Sequence, residues 1–204
     1  MNVYRHLFKL ALIGSSGCGK SSLMKRACYD DYREKEYSTI GVDLGSCVVK
    51  VNNSGSMVPV KFQIWDTAGL EKYNSITTQY YNHVSGFILC YDASNLSSLV
   101  EVKTRWLEQI KSNTNTDTYV IMLVGCKTDK VDDASLEEIK NKANDIVKEN
   151  DKVVYSILCS AKSGENVKNM LTTFSYYLFQ NEKQKDDANI SIKITKSSQR
   201  KKCC

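Results

Sequence analysis

Residues 14–21 have the residue types and the spacing of a phosphate-binding loop. They read GSSGCGKS, directly after an apolar run rich in β-formers and before a segment of helical period. Glycines let backbone N–H groups turn toward phosphate oxygens, a lysine can bridge the terminal phosphates, and a serine hydroxyl can ligate Mg²⁺. We therefore predict a nucleoside polyphosphate site, with Cys18 as a small packing residue. The predicted loop residues are Gly14, Ser15, Ser16, Gly17, Cys18, Gly19, Lys20, Ser21 and Ser22.

Two later segments have the residue types needed to recognise a purine base. GCKTDK follows the fifth apolar run, and CSAKSGEN follows the sixth. The Asp129 carboxylate can accept hydrogen bonds from N1–H and the 2-amino group of guanine, whereas adenine offers neither donor, and a buried carboxylate without partners is costly. The aliphatic stem of Lys127 suits the face of a base. Backbone N–H groups around Ala161, in a turn held by Ser160 and Lys162, suit the guanine carbonyl.

The stretch WDTAGLEKY, residues 65–73, has the form of a segment that senses Mg²⁺ and a γ-phosphate. Hydrolysis of that phosphate requires an oriented water molecule, and a polar side chain can orient it. Leu70 stands where such a side chain is needed, and leucine can neither donate to nor accept from water. Two hypotheses stay open: a slow hydrolase, and a nucleotide-loaded binding module.

Six apolar runs, alternating with segments of helical period, predict the elements that position these loops. The runs are HLFKLALI, GSCVVKV, VKFQIWD, GFILCYD, YVIMLVG and VVYSILC, and VNNSGSMVP predicts a hairpin turn between the second and third. The alternation predicts an α/β fold: a six-stranded, mostly parallel sheet with about five helices on both faces and ligands at the carboxyl ends of the strands. Three- and four-residue steps predict buried helix positions at Leu99, Val102, Trp106, Ile110, Val167, Met170, Leu171, Phe174, Tyr177 and Leu178.

Length, charge and cysteine content narrow the class of protein. The chain has 204 residues, 42% of them apolar and 25% charged, which fits one soluble globular domain without a signal peptide or membrane span. Six of the eight cysteines are scattered without C-x-x-C spacing, as in reduced cytosolic proteins. From residue 181 onward, seven Lys and Arg against three Asp and Glu give +4 of the total +5. This placement argues against a nucleic-acid-binding fold and predicts a domain at 1–180 with a flexible basic tail at 181–204.

With these motifs in hand, the chain resembles the Rab family of Ras superfamily small GTPases over residues 7–180. YSTIGVDL is similar to the first Rab switch and KFQIWDTAG to the strand before the second. The resemblance implies a P-loop NTPase G domain with GTP or GDP and Mg²⁺. In it, Thr39 reaches Mg²⁺ and the γ-phosphate, Asp66 holds Mg²⁺ through water, and the Gly69 amide meets the γ-phosphate. Tyr32 takes the place of the usual phenylalanine beside guanine.

The resemblance also implies a switch mechanism and a set of partners. Thr39 and Gly69 would grip the γ-phosphate only in the GTP state, so that effectors read two ordered loops. Trp65 and Tyr80 fit either the aromatic cluster that presents the switches or plain packing. The implied partners are trafficking effectors, an exchange factor, a TBC-type activating protein, the GDP dissociation inhibitor and the Rab escort protein. The implied location is the cytoplasmic face of endomembrane vesicles, with a cytosolic pool.

Three residues depart from the family pattern. Leu70 replaces the glutamine that orients the attacking water, so we expect very slow intrinsic hydrolysis, although TBC-type proteins supply an arginine and a glutamine in trans. Cys126 replaces an asparagine near the base, and we expect weaker nucleotide affinity with guanine preference kept by Asp129. Leu44 replaces a phenylalanine, which affects the choice of effector. A GTP-locked binding module remains one rival, and a P-loop kinase or ATPase is a more distant one.

Cys203 and Cys204 end the printed sequence directly after a run of basic residues, RKK. Two unmodified exposed thiols would be the simplest interpretation. With a Rab-like body, the pair implies double geranylgeranylation. Two lipid chains with a basic patch hold a protein stably on a membrane, whereas one chain does so only marginally.

Overall fold

A computed structural model describes the backbone of residues 4–34, 39, 41–53, 55–67, 81, 84–114 and 118–200, and the side chains of these residues as far as Gln184. The strands are β1 His6–Ile13, β2 Val42–Asn53, β3 Ser56–Thr67, β4 Gly86–Asp92, β5 Val120–Cys126 and β6 Val153–Leu158. The helices are α1 Lys20–Tyr29, α2 Leu96–Glu101, α3 Leu107–Asn113, α4 Asp133–Glu149 and α5 Val167–Arg200. A π-helical turn, Val102–Trp106, joins α2 to α3, and a 3₁₀ turn, Thr128–Lys130, follows β5.

The six strands form one sheet in the order β2-β3-β1-β4-β5-β6. Only β2 and β3 pair antiparallel, and every other pairing is parallel. The prediction of a six-stranded, mostly parallel α/β sheet is confirmed. The hairpin is shorter than the predicted stretch, because β2 and β3 remain paired as far as Asn53 and Ser56. β1 lies at the centre, with β3 and β4 on either side, so the loop after β1 lies where the strand order reverses.

Alternating side chains of the parallel strands build a separate core on each face of the sheet. Leu10 and Leu12 of β1 pack with Leu23 of α1 and Phe174 of α5. Ala11, one residue along the strand, belongs to the opposite core, which includes side chains of α2, α3 and α4. This alternation follows from the period of two in a strand. The predicted helix positions are buried, apart from the partly buried Tyr177, which packs against the first core.

The backbone of α5 is helical as far as Arg200, which differs from the flexible tail predicted from residue 181 onward. No glycine or proline follows Gly164 in the sequence, and Lys and Gln, which favour helices, recur after residue 181. Polarity alone is therefore a poor signal for the end of this helix. Among the described residues, no helix has both the length and the apolarity to cross a bilayer.

Candidate functional site

A cleft opens at the carboxyl ends of the parallel strands, where the loops after β1, β5 and β6 meet. It brings together residues predicted separately for the phosphates, the metal and the base. The predicted residues that line the cleft are Ser16, Gly17, Gly19, Lys20, Ser21, Ser22, Tyr32, Thr39, Cys126, Lys127, Asp129, Ala161 and Lys162. Gly14, Ser15, Cys18, Asp66 and Ser160 do not line it but contact residues that do.

The loop after β1 is shaped by a close backbone approach at its first residue. Gly14 has φ +141°, and a Cβ there would lie 2.1 Å from the carbonyl oxygen of Cys90. Only glycine fits both the backbone conformation and the space. The loop then turns into α1, which begins at Lys20, so the helix N-terminus and its free N–H groups lie at the cleft.

The ammonium group of Lys20 is buried within this loop. Nζ donates to the carbonyl oxygens of Gly14 at 2.7 Å and Ser15 at 2.9 Å, and the whole residue is 5% exposed. A buried cation satisfied by backbone carbonyls has a fixed position at low solvent screening. Together with the N-terminus of α1, it gives this part of the cleft a positive potential suited to phosphate groups.

Ser15 attaches the loop to the neighbouring helix, a link that the sequence motif did not indicate. Its hydroxyl donates to Glu101 Oε2 at 2.5 Å and accepts from the indole N–H of Trp106 at 3.1 Å. Glu101 ends α2 and Trp106 ends the π-helical turn. The two side chains thereby fix the Ser15 hydroxyl, in addition to the contact of the Ser15 carbonyl with Lys20. No pattern in the sequence connected Ser15 to Glu101 or Trp106, since each lies more than 85 positions from Ser15.

Three oxygen-bearing side chains converge beside the start of α1. Ser21 Oγ lies 2.7 Å from Thr39 Oγ1 and donates to Asp66 Oδ2 at 2.5 Å. Asp66 is 1% exposed. Two hydroxyls and a carboxylate are hard oxygen ligands, which Mg²⁺ prefers. The donor set therefore fits Mg²⁺: the loop motif predicted Ser21, and the family resemblance implied Thr39 and Asp66.

On the side of the cleft where a base is predicted, an ion pair holds Lys127. Lys127 has φ +65°, and its Nζ donates to Asp92 Oδ2 at 2.6 Å. Burial opposes ionisation of Asp92, but donation from Lys127 and Ser94 outweighs it and leaves the pKa of Asp92 below its usual value. Asp92 was not predicted, although its position directly at the end of β4 was a usable signal.

Asp129 is held by the neighbouring loop. The Ser160 hydroxyl donates to Asp129 Oδ1 at 2.6 Å and accepts from the backbone N–H of Ser163 at 3.1 Å. Ser160 is fully buried, whereas Asp129 lines the cleft. One carboxylate oxygen is therefore engaged with the protein, while Asp129 itself borders the cleft, as its predicted role toward a base requires.

Two cysteines near the loop, Cys18 and Cys126, are buried. Cys18 is 2% exposed and its thiol donates to the Cys90 carbonyl at 3.5 Å, and burial raises the pKa of Cys18 to about 12. Its thiol thus stays protonated at neutral pH, as its predicted packing role requires. Cys126 is buried at the end of β5, and a Cβ at Gly19 would lie 3.1 Å from its Cβ.

Three residues that line the cleft were not predicted from the sequence: Arg33, Glu34 and Lys130. Glu34 pairs with the predicted Lys162 at 3.6 Å, which joins the segment after Tyr32 to the turn after β6. Other predictions lie outside the described residues, namely those for Gly69, Leu70, Tyr80, Cys203 and Cys204.

Comparison with known proteins identifies the family. The model of the Ras family matches residues 9–179. "Ras-related protein Rab-1" of Theileria annulata is 38% identical over 86% of this chain and 76% of its own length. "Ras-related protein Rab-10" of Diplobatis ommata is 34% identical over 98% and 97%, and "Ras-related protein Rab-11B" of Dictyostelium discoideum is 34% identical over 91% and 82%. The chain therefore belongs to the Rab family of small GTPases in the Ras superfamily.

Proposed function

We propose that this chain binds GTP and GDP with Mg²⁺ and hydrolyses GTP slowly, as a membrane-trafficking switch. One observation carries the proposal: a single cleft is lined by buried Lys20, by Ser21 and Thr39 of the oxygen cluster, and by Asp129, which Ser160 holds. The first two features suit a polyphosphate with its metal. The third suits a base that offers two adjacent N–H donors.

The proposed chemistry is phosphoryl transfer from GTP to water, in which positioning and charge neutralisation provide most of the rate. Lys20 and the N–H groups at the start of α1 bind the phosphate oxygens on which charge develops. Ser21, Thr39 and Asp66 would hold Mg²⁺, which neutralises phosphate charge when bound. Asp129 and Lys127 fix the base, with Tyr32 beside it, so that the γ-phosphate is held at one position in the cleft.

The water that attacks the γ-phosphate lacks a polar orienting group at residue 70. The backbone N–H of Gly69 and residue Thr39 are the proposed γ-phosphate contacts of the two switches, and Leu70 cannot hydrogen bond to water. Intrinsic turnover should fall at or below the order of 10⁻⁴ s⁻¹ known for Ras. A TBC-type activating protein that brings its own arginine and glutamine would bypass Leu70. A GTP-locked binding module is the second candidate, and Leu70 is the residue that favours it.

As a Rab-family switch, the protein would recruit trafficking effectors in its GTP state and return to GDP through an activating protein. An exchange factor would reload it. The escort protein and the GDP dissociation inhibitor would deliver and extract the lipidated form at the cytoplasmic face of endomembranes.

Geranylgeranyl groups on Cys203 and Cys204, beside the basic RKK, would anchor the protein. The test is flotation of the prenylated chain on anionic liposomes, with each cysteine changed to serine singly and then together. We expect stable binding only with both cysteines. Equal binding by the double variant would contradict the anchor.

The nucleotide proposal is tested by displacing fluorescent GDP from the purified protein with GDP, IDP or ADP in the presence of Mg²⁺. We expect GDP to displace best and IDP, which lacks the 2-amino group, to be weaker. ADP should be weaker than GDP by about 10⁴-fold, because it leaves the Asp129 carboxylate without donors. Displacement by ADP as effective as by GDP would contradict the proposal and favour the ATPase or kinase alternative.

A further inference from the structure

We propose that Arg26 is a positioning residue for guanine recognition: it clamps the turn at Ala161 and Lys162 to α1 and so slows nucleotide release. The inference rests on the proposed function and deepens it. Arg26 does not line the cleft, whereas both residues of the turn do. Any effect of Arg26 on the nucleotide is therefore exerted through the turn.

The guanidinium group makes four hydrogen bonds to two separate segments. Nε donates to the Ala161 carbonyl oxygen at 2.7 Å, and one terminal nitrogen donates to the Lys162 carbonyl oxygen at 3.2 Å. The other terminal nitrogen donates to the carbonyl oxygen of Asp30 at 3.0 Å and to its carboxylate at 3.2 Å. The Arg26 side chain is only 19% exposed, so these bonds are partly shielded from water.

These contacts fix the orientation of two successive peptide groups. A trans peptide is planar, and its N–H points opposite to its carbonyl oxygen. Holding the Ala161 oxygen therefore fixes the direction of the Lys162 N–H, and holding the Lys162 oxygen fixes the next peptide plane. The proposed recognition of the guanine carbonyl depends on N–H groups around Ala161. A fixed turn presents them without an ordering cost at the moment of binding.

Arg26 also connects the turn to the other side of the proposed base site. Its guanidinium carbon lies 6.0 Å from the ring centre of Tyr32, the residue expected to flank the base. The same side chain closes the C-terminal end of α1, whose N-terminal end bears Lys20 and Ser21. One helix thus carries the phosphate contacts at one end and supports the base turn near the other.

The experiment compares wild type with Arg26→Ala, Arg26→Lys and a control, Lys148→Ala, which removes an exposed ion pair with Asp145 on α4. Release of fluorescent GDP is measured by stopped flow after addition of excess GDP. We expect Arg26→Ala to release GDP about 10- to 100-fold faster, since charged hydrogen bonds to the turn are lost. Arg26→Lys should release GDP more slowly than Arg26→Ala but faster than wild type. An ammonium group can donate to the turn, but it cannot bridge both carbonyls as the planar guanidinium fork does. The control should match wild type.

A second measurement separates positioning from general destabilisation. Affinity is measured for GDP and for 2-aminopurine riboside diphosphate, which keeps the 2-amino group but lacks the base carbonyl and the N1–H. The loss of the N1–H at Asp129 is the same in wild type and variant, so a change in preference between them reports the carbonyl contact. Wild type should prefer GDP, and Arg26→Ala should reduce that preference at least about threefold, because the turn that contacts the carbonyl is no longer held. A purely structural role would weaken both ligands equally. Equal weakening, or unchanged GDP release, would overturn the inference. Failure of wild type to bind GDP would instead show the proposed function to be wrong.

Discussion

Ser160 and Asp129 come from loops that follow different strands, yet the Ser160 hydroxyl lies 2.6 Å from Asp129 Oδ1 and donates to it. The same hydroxyl accepts the N–H of Ser163. This relationship ties the loop after β5 to the loop after β6. The carboxylate proposed to read the base is thus oriented by a buried hydroxyl, which is itself oriented by its own turn.

Changing Asp129 to Asn should switch the base preference. Guanine offers two donors to a carboxylate, whereas xanthine has a carbonyl at position 2 that a carboxylate repels and an amide N–H₂ can bind. We expect Asp129→Asn to lose GDP affinity by at least about 100-fold and to gain affinity for XDP. Displacement of fluorescent GDP and XDP analogues measures both. Asp132→Asn is the matched control, since Asp132 caps α4 and does not line the cleft. Unchanged preference in Asp129→Asn would contradict the proposed role.

Ser160→Ala should weaken GDP binding without changing the preference for guanine. It removes the donor to Asp129 and leaves the Ser163 N–H without its acceptor, a loss of about 1–2 kcal/mol or about 5- to 30-fold in affinity. Titration calorimetry with GDP provides the measurement. Ser156→Ala removes a comparable serine hydroxyl, which donates to Asn144 at 2.7 Å away from the cleft, and should leave affinity unchanged. An equal effect of both variants would point to a loss of folding stability.

The Asp92–Lys127 pair should make stability depend on pH in the acid range. The pKa of Asp92 is lower in the folded chain than its usual value near 4, so its contribution to stability is present above that value and is lost as pH falls through the folded pKa. We expect wild type to be more stable than Asp92→Asn at pH 5 to 7, with a gap that narrows below about pH 4. Urea unfolding at saturating GDP measures the gap. Asp145→Asn, which changes an exposed pair, should show little difference at any pH. A gap that stayed constant down to pH 3 would contradict the assignment.

Gly14→Ala should be severely destabilising, because the new Cβ would overlap the Cys90 carbonyl oxygen and the residue would keep its positive φ. We expect a loss above about 3 kcal/mol or failure to fold. Gly55→Ala is the comparison: it also has positive φ, at +86°, but nothing lies within 4 Å of its Cβ. It should cost only about 1 kcal/mol. Thermal unfolding measures both, and similar losses for the two would argue against the close approach as the cause.

Much of the fold could be predicted because its elements are locally encoded. The predicted runs at 6–13 and 86–92 coincide with β1 and β4, since continuous apolar β-formers are characteristic of strands buried on both faces. The site residues in the loops after β1, β5 and β6 were also predictable, because parallel strands bring their carboxyl ends to one edge.

What the sequence did not indicate depends on contacts between distant segments. Two sets of contacts need the folded arrangement of α1, α2 and β6. Ser15 contacts Glu101 and Trp106, and Arg26 contacts the turn at Ala161 and Lys162. The spacing of Val102 and Trp106 predicted a buried helix face but could not reveal the π-helical turn. Spacing shows which side chains share a face, and it does not show the backbone hydrogen-bond pattern. The extension of α5 was missed because polar residues are compatible with both a helix and a coil.

The central claim is that this Rab-family chain is a slow GTPase rather than a GTP-locked module. The most direct measurement is single-turnover hydrolysis of preloaded GTP by wild type and Leu70→Gln, each with and without an isolated TBC domain. We predict that wild type alone turns over more slowly than Leu70→Gln and is accelerated by the TBC domain. If wild type shows no turnover under either condition while Leu70→Gln hydrolyses GTP, the claim is contradicted and the chain is a binding module held in its GTP form.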